Sequence, residues 1–146
     1  MSRAARFVVV ALAAGSVAAC SSPPPPEPLP PGALVAGTAQ VTVNGNDLGQ
    51  FHAVQCSPAG DLMTISTGND EQGSTAIVSN ADGLIAKSVL IRDLGGFTGS
   101  FNEGLGGNAT VSLDGATYII TGSADGFDTD NPSFRSTGTF TIKAAC

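Results

Sequence analysis

From Leu34 onward, apolar and polar residues alternate in short runs that are separated by Gly, Asn and Asp. In the first run, Val35, Ala39, Val41 and Val43 share one parity, while the polar residues between them share the other. Alternation with a period of two indicates a strand with one buried face. No part of this region repeats its apolar residues at the 3.6-residue spacing of an amphipathic helix. The pattern therefore predicts an all-β domain.

Turn sequences divide this region into about eight strands. Asn44 to Asp47 and the dipeptide Asp114-Gly115 predict hairpins, because Asn, Asp and Gly tolerate the backbone conformations that tight turns require. Gly95-Gly96 ends another run. Strands of this length with turns at this spacing predict an antiparallel β-sandwich or a curled, barrel-like sheet.

The sequence of three segments predicts their local structure more specifically. Residues 48 to 56 read as a single return strand after the first hairpin. Residues 84 to 91 are almost continuously apolar, which predicts a strand covered on both faces. Residues 124 to 134 contain Gly, Asn, Pro and three Asp residues, which predicts a long loop before the final strand.

The N-terminal residues have the pattern of an export signal. Arg3 and Arg6 precede the apolar run Phe7 to Ala14, and small residues follow. The run is shorter than the roughly 20 residues that cross a bilayer, so we expect a cleaved signal and not a membrane span. The sequence Val17-Ala18-Ala19-Cys20 matches a bacterial lipobox, which predicts a lipoprotein signal peptide over residues 1 to 19. The alternative is an ordinary signal peptide in which Cys20 is incidental.

A lipobox predicts that the Cys20 thiol carries diacylglycerol and that its amine can take a further acyl chain. Several long chains contribute on the order of tens of kcal/mol to membrane binding, because each buried CH₂ contributes about 0.8 kcal/mol. The protein is therefore expected on the extracytoplasmic face of a cell membrane, held by Cys20. Residues 21 to 32 contain seven prolines, so residues 20 to 33 are interpreted as a lipidated, extended linker and residues 34 to 146 as the β-domain.

Charge argues against a nucleic-acid partner. The full chain has a formal net charge of −6, and removal of Arg3 and Arg6 with the signal peptide makes it −8. The four remaining cations are dispersed along the sequence, whereas a phosphate backbone requires clustered Lys and Arg. The simplest role of the acidic charge is solubility.

Two cysteines remain when Cys20 is assigned to lipid. Cys56 and Cys146 are expected to form a disulfide, because an exported protein leaves the reducing cytosol. The final strand places Cys146 on the same parity as Phe140 and Ile142, which predicts that the disulfide is buried.

Few residues are candidates for catalysis or metal binding. His52 is the single histidine, and we interpret it as a partly buried structural residue in a strand, since no Ser-x-Gly elbow and no acid partner is evident near it in sequence. Asp125, Asp128 and Asp130 invite a calcium hypothesis, but their spacing does not match an EF-hand loop and a solvated turn accounts for them. We therefore predict no catalytic residue, no metal site and no cofactor.

Several short motifs give this chain a resemblance to the mycobacterial 19 kDa lipoprotein antigen family. The motifs that carry it are Val41-x-Val43-x-Gly45, Cys56, Lys87-Ser88-Val89, Gly107-Asn108-Ala109, Tyr118-x-Ile120-Thr121-Gly122, Asp128 with Asn131-Pro132, and the terminal Cys146. The resemblance implies an exported, acylated envelope antigen that innate lipopeptide receptors of a host recognise through its acyl chains. Family members can carry a Thr- and Ser-rich tail that bears sugars, and the proline-rich tail of this chain departs from that pattern.

Two functional hypotheses follow. The first is a non-enzymatic, membrane-anchored surface lipoprotein antigen that interacts with the envelope or with host receptors. The alternative is a carrier that holds an apolar ligand between the sheet layers, because the many small residues and glycines over residues 84 to 101 could leave space unfilled. The sequence does not set an oligomeric state.

Overall fold

The structure, a computed structural model, describes residues 22 to 146. The predicted signal peptide and the sites predicted at Val17, Ala18, Ala19 and Cys20 lie outside the described residues. The chain from Ser22 to Pro30 is exposed and forms neither helix nor strand. Over residues 22 to 146, no helix is long and apolar enough to cross a membrane.

The described part of the chain contains ten strands and no helix, which confirms the all-β prediction. The number of strands is ten, where the sequence predicted about eight. Their bounds are β1 Ala39–Val43, β2 Asn46–Phe51, β3 Val54–Ala59, β4 Leu62–Gly68, β5 Gly73–Ser79, β6 Ile85–Leu94, β7 Phe97–Asn102, β8 Asn108–Asp114, β9 Thr117–Asp128 and β10 Ser136–Ala145.

The strands form one antiparallel, hydrogen-bonded sheet in the order β2-β1-β10-β9-β7-β6-β5-β4-β3. Strand β9 is the branch point of this sheet. Its first half pairs with β8 and its second half pairs with β7, while β10 runs along its other edge. The sheet curls into a nearly closed, barrel-like form, so that strands far apart in the order face each other across the interior.

A single apolar core fills the inside of the curl. Val41, Val89, Ile120 and Ile142 are completely buried and come from four different strands. They alternate with outward-facing polar residues, as the period-two pattern predicts. Burying such aliphatic side chains contributes about 1.5 to 3 kcal/mol each, which makes this core the main source of stability.

The expectation of one strand over residues 48 to 56 is wrong. Strand β2 ends at Phe51 and β3 begins at Val54, and these two strands lie at opposite ends of the strand order. The dipeptide His52-Ala53 therefore connects the two free edges of the sheet. The sequence has no Gly or Pro there, so local turn chemistry does not mark the crossing.

Strand β6 is longer and less covered than expected. Its buried residues are Ala86, Val89, Ile91 and Leu94, whereas the Leu90 side chain is 41% exposed. The expectation that both faces are covered is wrong, because no helix among the described residues packs on the outside of the sheet. The apolar run reflects β-propensity on the outer face as well as burial on the inner one.

Strand β9 extends to Asp128, so the loop predicted over residues 124 to 134 is shorter than expected. Glycine allows this extension. A Cβ atom at Gly126 would overlap the carbonyl oxygen of Thr98 on β7, and one at Gly122 would overlap that of Asn108 at the start of β8. Backbones approach this closely where a sheet bends, and Gly is the residue that permits it.

Cys56 and Cys146 form a disulfide whose Cα atoms are 5.9 Å apart. It connects the edge strand β3 to the residue that follows β10. The prediction that it is buried is wrong, since Cys146 is exposed and Cys56 only half-buried. The prediction assumed that the alternation of buried and exposed residues continues to Cys146, but β10 ends at Ala145. The amide of Cys146 instead donates a hydrogen bond to the Ala116 carbonyl 3.1 Å away.

Candidate functional site

The hairpin of β9 and β10 has two ends with different structures. Strand β9 alone has 12 residues, which at about 3.3 Å per residue separates its ends by roughly 36 Å. We call the end with residues 30 to 38, 114 to 117 and 144 to 146 the tether end. The opposite end, with residues 102 to 107 and 125 to 135, is the distal end.

Hydrogen bonds donated by backbone amides hold the N-terminal segment at the tether end. The amide of Leu34 donates to Oγ1 of the fully buried Thr117 over 2.9 Å. The amide of Gly37 donates to the carbonyl of Ala145 over 2.9 Å. The proline-rich linker therefore leaves the domain beside the C-terminus, at the turn between β8 and β9.

The distal end carries an open cleft of about 480 Å³, a volume within the range of small-molecule sites. Two loops and the outer face of the sheet form this distal cleft. Its lining is Ser100, Asn102, Leu105, Gly106, Asp125, Gly126, Phe127, Pro132, Ser133, Phe134 and Arg135. The side chains of Leu105 and Phe134 are 83% and 71% exposed, and that of Phe127 is 36% exposed. Exposed apolar side chains that line one cleft are candidates for contact with a ligand or a partner.

Side-chain hydrogen bonds fix the loops of the distal end. Asp93, near the end of β6, adopts a positive φ of 41°. Its carboxylate accepts hydrogen bonds from Thr129 Oγ1 at 2.7 Å and from Gln72 Nε2 at 3.3 Å. These bonds, the Thr129 bond first, hold the pKa of Asp93 below its ordinary value. One carboxylate on β6 thus joins the β4–β5 and β9–β10 connections.

Polar groups surround the exposed rings of the distal cleft. Asp125 Oδ1 accepts a hydrogen bond from Thr137 Oγ1 over 2.9 Å, which orients the carboxylate. Arg135 is exposed. Within residues 22 to 146 the salt bridge is between Lys87 and Glu103, so the Arg135 guanidinium is not in an ion pair. The arrangement can hydrogen-bond a ligand and pack against it, but it contains no nucleophile paired with a base.

His52 lies in the link between β2 and β3 and is exposed, so the prediction of a partly buried histidine within a strand is wrong. The calcium hypothesis rested on Asp125, Asp128 and Asp130. Over residues 22 to 146, no group of three or more His, Cys, Asp or Glu side chains is placed to hold a metal ion. Asp125 instead binds Thr137, and the amide of Asn131 donates to the Asp128 carbonyl.

The aromatic ring of Phe97 fills the interior space that the carrier hypothesis expected beside the small residues and glycines. Phe97 is completely buried. A Cβ atom at Gly99 would lie 2.6 Å from its ring and one at Gly138 would lie 2.7 Å from it. These glycines therefore make room for Phe97, and the space beside them is occupied.

The sequence did not single out Leu105, Phe127 or Phe134. Phe127 and Phe134 stand at the two ends of a segment of otherwise small and polar residues, and this contrast is the available signal. The residues of the distal cleft come from β7, β9 and two loops, so tertiary structure brings them together.

Comparison with known proteins places this chain among mycobacterial lipoproteins. The family described as Mycobacterium 19 kDa lipoprotein antigen matches residues 32 to 146. A putative lipoprotein of Mycobacterium indicus pranii is 37% identical over 92% of this chain and 96% of its own length. One from Mycobacterium avium subsp. hominissuis is 39% identical, covering 77% of this chain and 78% of its own. Lipoprotein LpqH of Mycobacterium tuberculosis is 32% identical, covering 80% of this chain and 72% of its own.

Proposed function

The chain belongs to the Mycobacterium 19 kDa lipoprotein antigen family, and from this premise we propose that it is a non-enzymatic lipoprotein anchored through acyl chains on Cys20. In this proposal residues 1 to 19 are removed, residues 20 to 33 are the anchor and linker, and residues 34 to 146 form the antigen domain. The anchored protein faces away from the cytoplasm.

The observation that carries the proposal is the position of the lipobox relative to the tether end. Val17 to Cys20 immediately precede the proline-rich segment, and that segment joins the domain where Leu34 binds Thr117. An anchor on Cys20 would therefore be connected to the tether end, with the distal cleft at the opposite end of the β9 and β10 hairpin. At about 3.1 Å per residue, the linker would hold the domain up to about 40 Å from the bilayer.

Membrane fractionation of cells that express the full chain tests the anchor. The unaltered protein should sediment with membranes and enter the detergent phase. Cys20→Ala removes the sulfur that would carry the lipid, and we expect this variant in the soluble or secreted fraction. Ser22→Ala is a matched control that leaves the lipobox intact and should remain with membranes. Membrane retention of Cys20→Ala would contradict the proposal.

Acyl chains would also provide contact with a host. We propose that a host innate lipopeptide receptor binds the acylated N-terminus and that the β-domain is the protein antigen. A receptor reporter assay should respond to the unaltered protein and lose its response to Cys20→Ala. An equal response to both proteins would exclude the acyl chains as the recognised group.

The apolar-ligand carrier stays as the alternative function. Filling of the core by Phe97 favours the anchored antigen over a carrier. Organic extraction of the purified domain followed by mass spectrometry distinguishes the two, since a carrier would release a stoichiometric lipid in addition to the covalent acyl chains.

A further inference from the structure

We propose that the distal cleft and the adjoining outer face of β1, β10, β9 and β8 form one groove that binds a neutral oligosaccharide. This inference goes beyond the anchoring function and does not depend on it, because it rests on the side chains of the folded domain alone. It assigns a ligand class to the exposed rings that neither the core nor the tether end explains.

The outer face next to the cleft carries a row of four threonines. Register places Thr42 opposite Thr141, Thr141 opposite Thr121, and Thr121 opposite Thr110. We call these residues the threonine row. Oγ1 of Thr121 lies 3.4 Å from Oγ1 of Thr141. Neighbouring strands lie about 4.8 Å apart, so the row presents hydroxyl groups at regular short intervals.

The next positions toward the distal end continue this polar surface. Thr139, Ser123 and Asn108 occupy one rank across β10, β9 and β8, and Thr137 lies opposite Asp125 in the rank beyond. Lys143 borders the threonine row on the tether side and Asp125 borders this rank on the distal side. Between these two charged residues the surface of β10, β9 and β8 is uncharged, with side chains that donate and accept hydrogen bonds, and the carboxylate of Asp47 on β2 borders the row beside Thr42.

Two shallow depressions lie along the outer face between the threonine row and the distal cleft. One of about 380 Å³ is lined by Thr42, Thr121, Thr141 and Thr139 among others. A second, of about 270 Å³, includes Thr137 and shares Asp125, Gly126 and Arg135 with the distal cleft. From Thr121 to Phe127 along β9 the distance is about 20 Å at 3.3 Å per residue, the length of a short oligosaccharide.

Neutral sugars fit this combination of groups. A pyranose ring has a face of C–H groups that packs on an aromatic ring, and hydroxyls around its rim that need both donors and acceptors. Phe134 and Phe127 supply rings, while Asn102, Asp125 and Arg135 supply planar hydrogen-bonding groups. The hydroxyls of the outer face would remain paired with sugar hydroxyls, so the desolvation of polar groups is compensated.

Other ligand classes fit less well. A polyanion requires several cations, and Arg135 is the single cation that lines the distal cleft. An apolar lipid chain would cover the threonine hydroxyls without giving them hydrogen-bond partners, which is costly. An apolar peptide could use Leu105 and Phe134, but it would leave the threonine row unused.

Amide chemical-shift mapping of the ¹⁵N-labelled protein, with Cys20→Ala to keep it soluble, tests the proposal. The probes are maltotriose, mannotriose and galactotriose, with trigalacturonic acid as an anionic control and a short Leu- and Phe-rich peptide as the alternative ligand. At least one neutral trisaccharide should cause saturable shifts at residues 100 to 106, 121 to 127 and 132 to 141.

Three variants locate the binding. Phe134→Ala removes an exposed ring and should weaken the affinity for the trisaccharide at least tenfold. Thr121→Val keeps the shape of the side chain and removes its hydroxyl, and should weaken the affinity about threefold. Leu62→Ala removes an exposed apolar side chain on β4, outside the groove, and should leave the affinity unchanged. The amide spectrum of each variant reports whether the fold is retained.

Several results would overturn the proposal. They are the absence of saturable shifts with all three neutral trisaccharides, shifts that map away from the groove, an unchanged affinity in folded Phe134→Ala, or tighter binding of the anionic trimer or of the peptide than of every neutral sugar.

Discussion

The tether end and the distal end of the β9 and β10 hairpin are held together by different interactions. At the tether end, hydrogen bonds from backbone amides join the N-terminal segment, the turn between β8 and β9, and the C-terminus, and a disulfide joins the C-terminus to β3. At the distal end there is no such covalent link among the described residues; backbone bonds such as that from the Thr129 amide to the Gly96 carbonyl are supplemented by side-chain bonds such as that from Thr129 to Asp93. Thr117 is fully buried beneath the N-terminal segment at the tether end, whereas Leu105 and Phe134 are exposed together beside the cleft at the distal end.

The two ends suit different tasks in the proposed function. Amide hydrogen bonds and a disulfide resist opening, which suits the end that would carry a linker. Loops fixed by local backbone and side-chain hydrogen bonds leave their exposed side chains available for a ligand. The two ends should therefore respond differently to mutation, reduction and pH.

The largest expected effect is the loss of the disulfide at the tether end. The chain between Cys56 and Cys146 closes a loop of about 90 residues, for which loop entropy predicts a loss of about 4 to 5 kcal/mol in the free energy of unfolding. Urea unfolding of the double variant Cys56→Ser, Cys146→Ser measures this loss. Addition of dithiothreitol should destabilise the unaltered protein and leave the double variant unaffected. An unchanged urea midpoint in the double variant would show that backbone bonds alone hold the tether end.

A second effect concerns the packing beneath the distal cleft. Gly138→Ala places a Cβ atom 2.7 Å from the Phe97 ring, and overpacking of this kind destabilises by about 1 to 3 kcal/mol. Chemical denaturation measures the loss, and the double variant Gly138→Ala, Phe97→Leu is its control. If the ring is the obstacle, Gly138→Ala should destabilise the Phe97→Leu background less than the unaltered protein. Equal losses in both backgrounds would argue against a clash with Phe97.

A smaller effect tests the attachment of the N-terminal segment. Thr117→Val removes the hydroxyl that accepts the Leu34 amide, and the loss of such a bond costs about 1 kcal/mol. Thr121→Val, on the exposed outer face, is the matched control and should change the stability much less. Hydrogen exchange at the Leu34 amide should become faster in Thr117→Val only. Unchanged exchange there would mean that other contacts hold the segment.

The smallest effect is local and depends on pH. The pKa of Asp93 is lowered by its hydrogen bonds from Thr129 and Gln72. The contribution of the ionised carboxylate to folding stability is therefore present above the ordinary carboxyl pKa of about 4 and is lost as the pH falls through the lower pKa of the folded protein. Asp93→Ala removes the contribution at neutral pH. In this variant, exchange of the Thr129 amide should be faster while that of Gly37 is unchanged. Faster exchange at both amides would contradict the independence of the two ends.

The sequence predicted the strands better than their three-dimensional arrangement. Turn residues Asn44, Gly45, Gly95 and Gly96 mark real turns, because the required backbone conformation restricts which residues can form them. The crossing at His52-Ala53 was missed because no local conformational requirement accompanies it. Whether a chain pairs with its neighbour or crosses to the far edge of a sheet is decided by the core.

The candidate site was harder to predict from the sequence than the strands were, because its residues meet only in the tertiary structure. Asp125 attracted attention as a candidate calcium ligand, and it lines the distal cleft. Its role beside Phe134 could not be inferred, since β7, β9 and the loop before β10 meet only in the folded sheet. The exposed position of the disulfide was also missed, because parity within a strand says nothing about a residue beyond its end.

In the proposed function, a lipid on Cys20 holds the tether end at a membrane and leaves the distal end free. Mass spectrometry of the N-terminal peptide of the mature protein is the direct test. We expect a peptide that begins at Cys20 and carries the added mass of diacylglycerol, with or without a further acyl chain. A mature protein that begins at an unmodified residue would contradict it.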